Sequence, residues 1–245
     1  MELAEYELMH RVEDSHWWYK GMSAITRALI ERYRFGVDHL QILDAGCGTG
    51  AAMSWLSEYG FVTGFDMSAH ALHFSKMRGH RRLVAASVMA APFVSESFDL
   101  ITCLDVLYFA QVQDDMALRE FSRILVPGGR VILRVPAYNW LRGVHDQKVS
   151  TGHRYLLKEL RQKIKNNGLI PEFMTYVNTI LFPFALVKRW CEKWLPAQSS
   201  SDIALDVKGF DRLLEGCLVL ESRLISKWSL PFGLSILGVG RKPLC

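Results

Sequence analysis

The ten residues Gln41-Ile-Leu-Asp-Ala-Gly-Cys-Gly-Thr-Gly50 restrict what this chain can fold into more than any other stretch. Leu40, Ile42 and Leu43 make an apolar run of strand length, and Asp44 stands at its carboxyl end. Gly46, Gly48 and Gly50 follow, where the absence of Cβ lets the backbone turn tightly and come close to a ligand. Ala51 to Tyr59 then reads as a helix. Strand, glycine loop and helix in that order bring backbone N–H groups and the positive end of a helix dipole to the carboxyl edge of a parallel sheet.

The glycine spacing restricts the ligand. A dinucleotide loop reads G-x-G-x-x-G, whereas here the glycines alternate and position 51 is alanine. A nucleoside-like ligand without phosphates fits this loop better than one carrying a pyrophosphate.

Downstream, apolar runs and helical periodicities alternate. Strands are expected at Phe61 to Phe65 (ending on Asp66), Leu83 to Ala86, Phe98 to Leu104, Arg130 to Val135 and Leu169 to Val177. Helices are expected at Ala69 to Met77 with Ser68 as cap, at Asp114 to Leu125, and at Leu156 to Asn167 closed by Gly168. Pro127-Gly128-Gly129 reads as a turn before the fifth strand, and a final strand lies within Gly233 to Gly240. This βαβα succession predicts an α/β fold, a doubly wound, mostly parallel sheet with helices on both faces. Ahead of it, Glu2 to Tyr33 has apolar residues at helical spacing, interrupted near Ser15 and Gly21, so two helices precede the first strand. The expected layout is an N-terminal helical lid over 1–36, a core over 37–245, and a helical insertion or cap over 178–225 within it.

At 245 residues and 50% hydrophobic composition the chain can bury one substantial core. Its net charge of +4 is spread rather than gathered, which argues against a nucleic-acid surface. Cys47, Cys103, Cys191, Cys217 and Cys245 form no C-x-x-C pair, so neither a metal cluster nor a disulfide frame is expected. Met1 to Arg11 is acidic and amphipathic rather than a signal sequence, and no apolar run reaches the length of a membrane span. A cytoplasmic location is the expectation.

The run Asp44-Ala-Gly-Cys-Gly-Thr-Gly50 resembles the first motif of the class I S-adenosylmethionine-dependent methyltransferases. The resemblance is specific over about Ile42 to Val135 and looser beyond. It implies a Rossmann-like sheet of seven strands, with Leu234 to Val239 inserted antiparallel beside the sixth, and S-adenosylmethionine as cofactor. It assigns Asp44, Gly46, Cys47, Gly48 and Gly50 to the loop that receives the methionine part. Asp66, roughly 20 residues on, matches an acid whose two oxygens suit vicinal ribose hydroxyls. Met67 is placed to pack on the adenine, and the Val88 backbone to contact it. Ser87 stands where many relatives carry an aspartate. Leu104 follows the fourth strand at the cofactor edge, and Asp105 is equally suited to capping. The cluster His16-Trp17-Trp18-Tyr19 is similar to one in a subgroup whose leading helix folds over the cofactor, with Tyr19 the expected contact and one of Trp17 and Trp18 serving the core.

Methyl transfer to a hydroxyl or an amine needs alignment and a way for a proton to leave. Tyr108 and Phe109 occupy places where relatives often have a glutamate and a histidine, which shifts the expected acceptor chemistry to His145, His153 and Tyr155 in the loop after the fifth strand. The apolar run over 180–195, flanked by cations, fits a lid, a homodimer surface or a peripheral membrane contact. The expected acceptor is a small molecule or a glycan- or lipid-linked precursor, taken by a monomer or homodimer. A nicotinamide-dependent oxidoreductase and a non-catalytic S-adenosylmethionine-binding protein stay open as alternatives.

Overall fold

The computed structural model describes residues 3–33, 39–143, 146, 150–184, 186–187 and 210–244. Two helices, α1 (Leu3–Val12) and α2 (Trp17–Arg32), lead into β1 (Leu40–Ala45). The alternation then runs α3 (Ala51–Leu56), β2 (Gly60–Asp66), α4 (Ala69–Met77), β3 (Leu83–Ala85), β4 (Phe98–Leu104), α5 (Asp114–Ile124) and β5 (Leu125–Pro136). After a short 3-10 turn at Asn139–Leu141 come α6 (Leu157–Asn166), β6 (Ile170–Val177), α7 (Asp211–Ile225) and β7 (Ser235–Arg241).

The seven strands form one sheet in the order β3-β2-β1-β4-β5-β7-β6. The first five are parallel to their neighbours, and β7 lies antiparallel between β5 and β6. Strand order reverses between β1 and β4, the switch point at which open α/β sheets leave a crevice outside the strand ends. The glycine loop follows β1 directly, so it borders that crevice.

Alternation along the strands divides the core between the two faces. Leu43, Ala45, Ile101, Cys103, Leu133 and Val135 pack with Phe121 of α5 and with Leu160 and Ile164 of α6. Leu40, Ile42, Leu100, Ile132, Leu237 and Val239 turn to the other face, under Ile25 and Leu29 of α2 and Leu218 and Ile225 of α7. Near-continuous apolar runs in β1, β4 and β5 are what burial on both faces demands.

Three details differ from expectation. The interruption near the N-terminus falls only at 13–16; Gly21 lies inside α2, where an added Cβ would overlap Leu218 of α7, so glycine there permits close helix approach. The first sheet helix stops at Leu56 rather than Tyr59. Pro127-Gly128-Gly129 is taken into β5 through a register shift against β4, with the Gly128 N–H donating to the Lys242 carbonyl. Of the helical cap expected over 178–225, the helix Asp211–Ile225 is described, and 188–209 lie outside the described residues. Ser68 caps α4 as expected, accepting from the Ala71 N–H at 3.3 Å. No helix among the described residues is long and apolar enough to cross a membrane.

Candidate active site

The loop after β1 is tied to β2 before it turns. Gly46 and Cys47 both donate their N–H to the Phe65 carbonyl, at 2.8 and 2.9 Å. Gly46, Gly48 and Gly50 all have positive φ, and a Cβ on Gly46 would overlap the Val106 side chain, so side chains larger than hydrogen are barred there. Gly46, Cys47, Gly48 and Thr49 line a crevice of about 1280 Å³; Gly50 shapes the turn into α3 without lining it.

Two carboxylates flank this loop. Asp44 is 2% exposed; its Oδ1 accepts from Thr102 Oγ1 at 2.8 Å, and its Oδ2 is buried without a partner. Burial pushes its pKa up to about 7, the Thr102 hydrogen bond and the Arg134 charge offsetting only part of the lost hydration. Asp66 holds the loop in shape: Oδ2 accepts from the Gly48 N–H at 3.0 Å and Oδ1 from the Ser68 N–H at 2.8 Å. Burial raises its pKa also. The Met67 N–H adds a third donor, which still leaves the carboxylate acceptor capacity for a hydroxyl.

The N-terminal helices cover this end of the crevice. Glu5, Tyr6 and Met9 of α1, with Glu13 beyond it, line it from above. Glu13 reaches the loop itself, accepting from Thr49 Oγ1 and from Arg78 Nη2, the latter at 2.7 Å. Arg78 also donates to Asp14 Oδ2 at 2.6 Å and to the His10 carbonyl at 3.2 Å. At the start of α2, His16 Nδ1 accepts from the Trp18 N–H at 3.2 Å, which leaves the neutral ring's proton on Nε2. Trp17 is core, 8% exposed, while Trp18 lies with the Arg134 guanidinium 5.3 Å over its ring and Tyr19 set edge-on to it at 5.0 Å. Tyr19 lines the crevice, and burial raises its phenol well above the ordinary range.

The opposite wall comes from the ends of β3, β4 and β5. Ser87, Val88 and Leu104 line it, with Ser87 Oγ engaged by the Met89 N–H at 3.2 Å. Met67 lines it too and is 62% exposed. Asp105, with φ of 60°, pairs through Oδ2 with Arg134 Nη2 at 2.7 Å and Nε at 2.8 Å. Tyr108 joins this wall, its phenol raised strongly by burial. Arg154 grips Asp146 through two bonds of 2.8 and 3.1 Å, and both residues line the crevice.

Of the residues expected to meet the acceptor, Tyr155 and His153 do not line the crevice. Tyr155 is 1% exposed, and its Oη donates to Asp114 Oδ2 at 2.8 Å and approaches the Leu107 carbonyl at 3.2 Å; its hydroxyl is spent inside the core. His153 pairs with Glu159 Oε1 at 2.7 Å, packs edge-on against Tyr155 at 4.6 Å and is absent from the crevice lining. His145 lies outside the described residues. Glu13, Arg78 and Arg134 were not anticipated. For Arg134 a signal exists, a lone cation in the apolar run Val131 to Val135. Glu13 and Arg78 carry none, since they meet across 65 residues of sequence.

The donor set suits S-adenosylmethionine. An orphaned, fully buried carboxylate oxygen beside the glycine loop matches an ammonium or sulfonium charge, and Asp66 keeps acceptor capacity for ribose hydroxyls.

Comparison with known proteins agrees. A family model described as "Methyltransferase domain" matches residues 43–133. The chain is 32% identical over 182 residues to "Uncharacterized methyltransferase YodH" of Bacillus subtilis (strain 168), covering 66% of this chain and 76% of that protein. It is 30% identical over 118 residues to "Methyltransferase GfsG" of Streptomyces halstedii, covering 44% of this chain and 42% of that one. This chain spans less than half the length of the first curated relatives it matches. Among solved structures, the complex between the Haloferax volcanii Trm112 methyltransferase activator and the putative methyltransferase superposes with a TM-score of 0.63 at 18% identity. The match covers 99% of this chain and 95% of that one, which is a likeness of fold.

Proposed function

Because this chain belongs to the class I S-adenosylmethionine-dependent methyltransferase family, we propose that it moves a methyl group from S-adenosylmethionine to an oxygen or nitrogen of a small molecule, or of a glycan- or lipid-linked precursor. The observation that carries this reading is Asp44 Oδ2, buried without a partner beside the loop of Gly46 to Gly50.

When bound, S-adenosylmethionine supplies an electrophilic methyl on a sulfonium: the acceptor atom forms the new bond to carbon, the carbon–sulfur bond breaks onto sulfur, and the acceptor's proton is released. The chain's own residues bind and orient. Asp44, Gly46, Cys47 and Gly48 would hold the methionine part, Asp66 the ribose, and Met67, Ser87, Val88 and Leu104 the base, while Tyr19 closes over them. Glu13 fixes Thr49 and through it the loop. Trp18, Tyr19 and Tyr108 keep water from the reacting centre.

Among the described crevice residues the imidazole is that of His16, whose Nδ1 is already engaged. Alignment therefore carries the step more than base catalysis does, with His145 as the proposed proton acceptor in the loop. His153 serves as a positioning residue that ties this loop to α6 through Glu159, and Tyr155 anchors the same loop to the core.

The test is calorimetric titration with S-adenosylmethionine and with NAD, followed by transfer of a labelled methyl to a panel of hydroxyl and amine acceptors. Binding without transfer to any acceptor would favour a non-catalytic role; NAD binding in place of S-adenosylmethionine would overturn the proposal.

A further inference from the structure

Arg134 is a buried cation at a place where the strand calls for an apolar side chain. It shares a face of β5 with Ile132, which packs under α2 and α7, and its register partners are Leu104 of β4 and Leu237 of β7. It is 8% exposed, and a buried ion pair adds little stability over well-packed apolar side chains of similar volume. Packing alone does not account for an arginine there.

Its contacts join two sides of the crevice. At the sheet edge it holds Asp105 three times: the Arg134 carbonyl accepts from the Asp105 N–H at 3.0 Å, and Nε and Nη2 donate to Asp105 Oδ2 at 2.8 and 2.7 Å. Asp105 has φ of 60°, a backbone that a residue with a side chain keeps only where its surroundings hold it. On the lid side, the guanidinium lies 5.3 Å over the Trp18 ring, and Tyr19 meets that ring edge-on at 5.0 Å and 86°. All four residues line the crevice. The side-chain bonds of Arg134 reach neither Asp44, Asp66 nor the glycine loop.

We propose that Arg134 is a positioning residue that latches the first turn of α2 to the end of β4. Two bonds to one carboxylate oxygen fix the plane of the guanidinium, and its planar, weakly hydrated cation suits an indole face better than an ammonium would. The guanidinium holds Trp18, and Trp18 holds Tyr19 over the crevice. The inference rests on the methyl-donor reading for its ligand and adds what keeps the aromatic lid closed over that ligand.

The test follows release of S-adenosylhomocysteine from the full chain by stopped flow. Arg134→Met is made together with Asp105→Asn, which leaves no lone buried charge, keeps the net charge of the crevice and tolerates the positive φ. This pair of changes and Trp18→Leu are each expected to speed release by about fivefold, the size of one cation–π contact. All three together should still give about fivefold, because they remove the same contact. Trp18→Phe keeps an aromatic face and should recover most of the slow release. Unchanged release in the Arg134→Met/Asp105→Asn protein or in Trp18→Leu, effects that multiply to about 25-fold, or Trp18→Phe releasing as fast as Trp18→Leu would overturn the latch. Failure of the parent chain to bind S-adenosylhomocysteine counts against the methyl-donor reading instead. The latch is then read in the free protein, by acrylamide quenching of Trp18 taken as the difference between each protein and its Trp18→Phe counterpart. Quenching should rise when Arg134 and Asp105 are replaced, and unchanged quenching would overturn the latch.

Discussion

Glu13 and Arg78 meet at 2.7 Å between the end of α1 and the end of α4, with side chains only 5% and 10% exposed, and the same Glu13 oxygen receives the Thr49 hydroxyl of the glycine loop. Helix α1 has no buried residue of its own, so this clasp, together with the His10–Phe74 ring contact at 5.0 Å, holds it over the crevice. Breaking a buried ion pair from one side costs about 3–5 kcal/mol, because the remaining charge stays desolvated. Burial already raises the Glu13 pKa.

Arg78→Met is therefore expected to release α1 selectively. Amide exchange over 3–12 should quicken while β1, β4 and β5 keep their protection, and S-adenosylhomocysteine should dissociate faster. Arg78→Lys should recover part of the loss. Uniform loss of protection would show a global defect instead of an opened lid.

Asp44 makes binding pH-dependent. Its folded pKa is raised from 3.8 to about 7, so its contribution to stability is fully present below about pH 4 and is lost as the pH rises through 7. A bound cation favours the ionised form and reverses that cost. S-adenosylmethionine affinity should thus rise by up to about tenfold per pH unit below 7 and level off above it. Asp44→Asn should bind more weakly and without this slope. A flat profile for the parent protein would remove Asp44 from the cation's partners.

Tyr155→Phe separates a structural from a chemical role. Losing the bonds to Asp114 and Leu107 should destabilise the fold by about 1–3 kcal/mol in denaturant titration, with methyl-donor affinity retained.

His153→Ala breaks a pair whose side chains are 40% and 34% exposed, so its cost to stability is expected at or below about 1 kcal/mol. Turnover should fall more than methyl-donor affinity, through loosening of the loop. A change in affinity alone would contradict the positioning role.

Much of the molecule was legible in the sequence where local pattern and burial coincide. The apolar runs at Ile42, Leu100 and Ile132 are strands because both faces of the sheet are covered, and Gly46, Gly48 and Gly50 make the tight turn expected of them, all with positive φ. What stayed hidden depends on distant partners or on side-chain direction. Topology brings the loop after β5 to the crevice edge, yet it does not say which way Tyr155 points, and Asp114 on α5 draws its hydroxyl inward. The Glu13–Arg78 clasp joins two helices with no shared local pattern. Asp44 showed its position but not its unpaired oxygen, which follows from Thr102 satisfying only one of the two.

The most direct measurement is calorimetry of the full chain with S-adenosylmethionine, S-adenosylhomocysteine and NAD, repeated on Asp66→Ala. The account predicts one-to-one binding of the two sulfur nucleosides, no binding of NAD, and a loss of more than about tenfold, or about 1.4 kcal/mol, in the variant. Binding of NAD without the sulfur nucleosides, or unchanged affinity in Asp66→Ala, would contradict it.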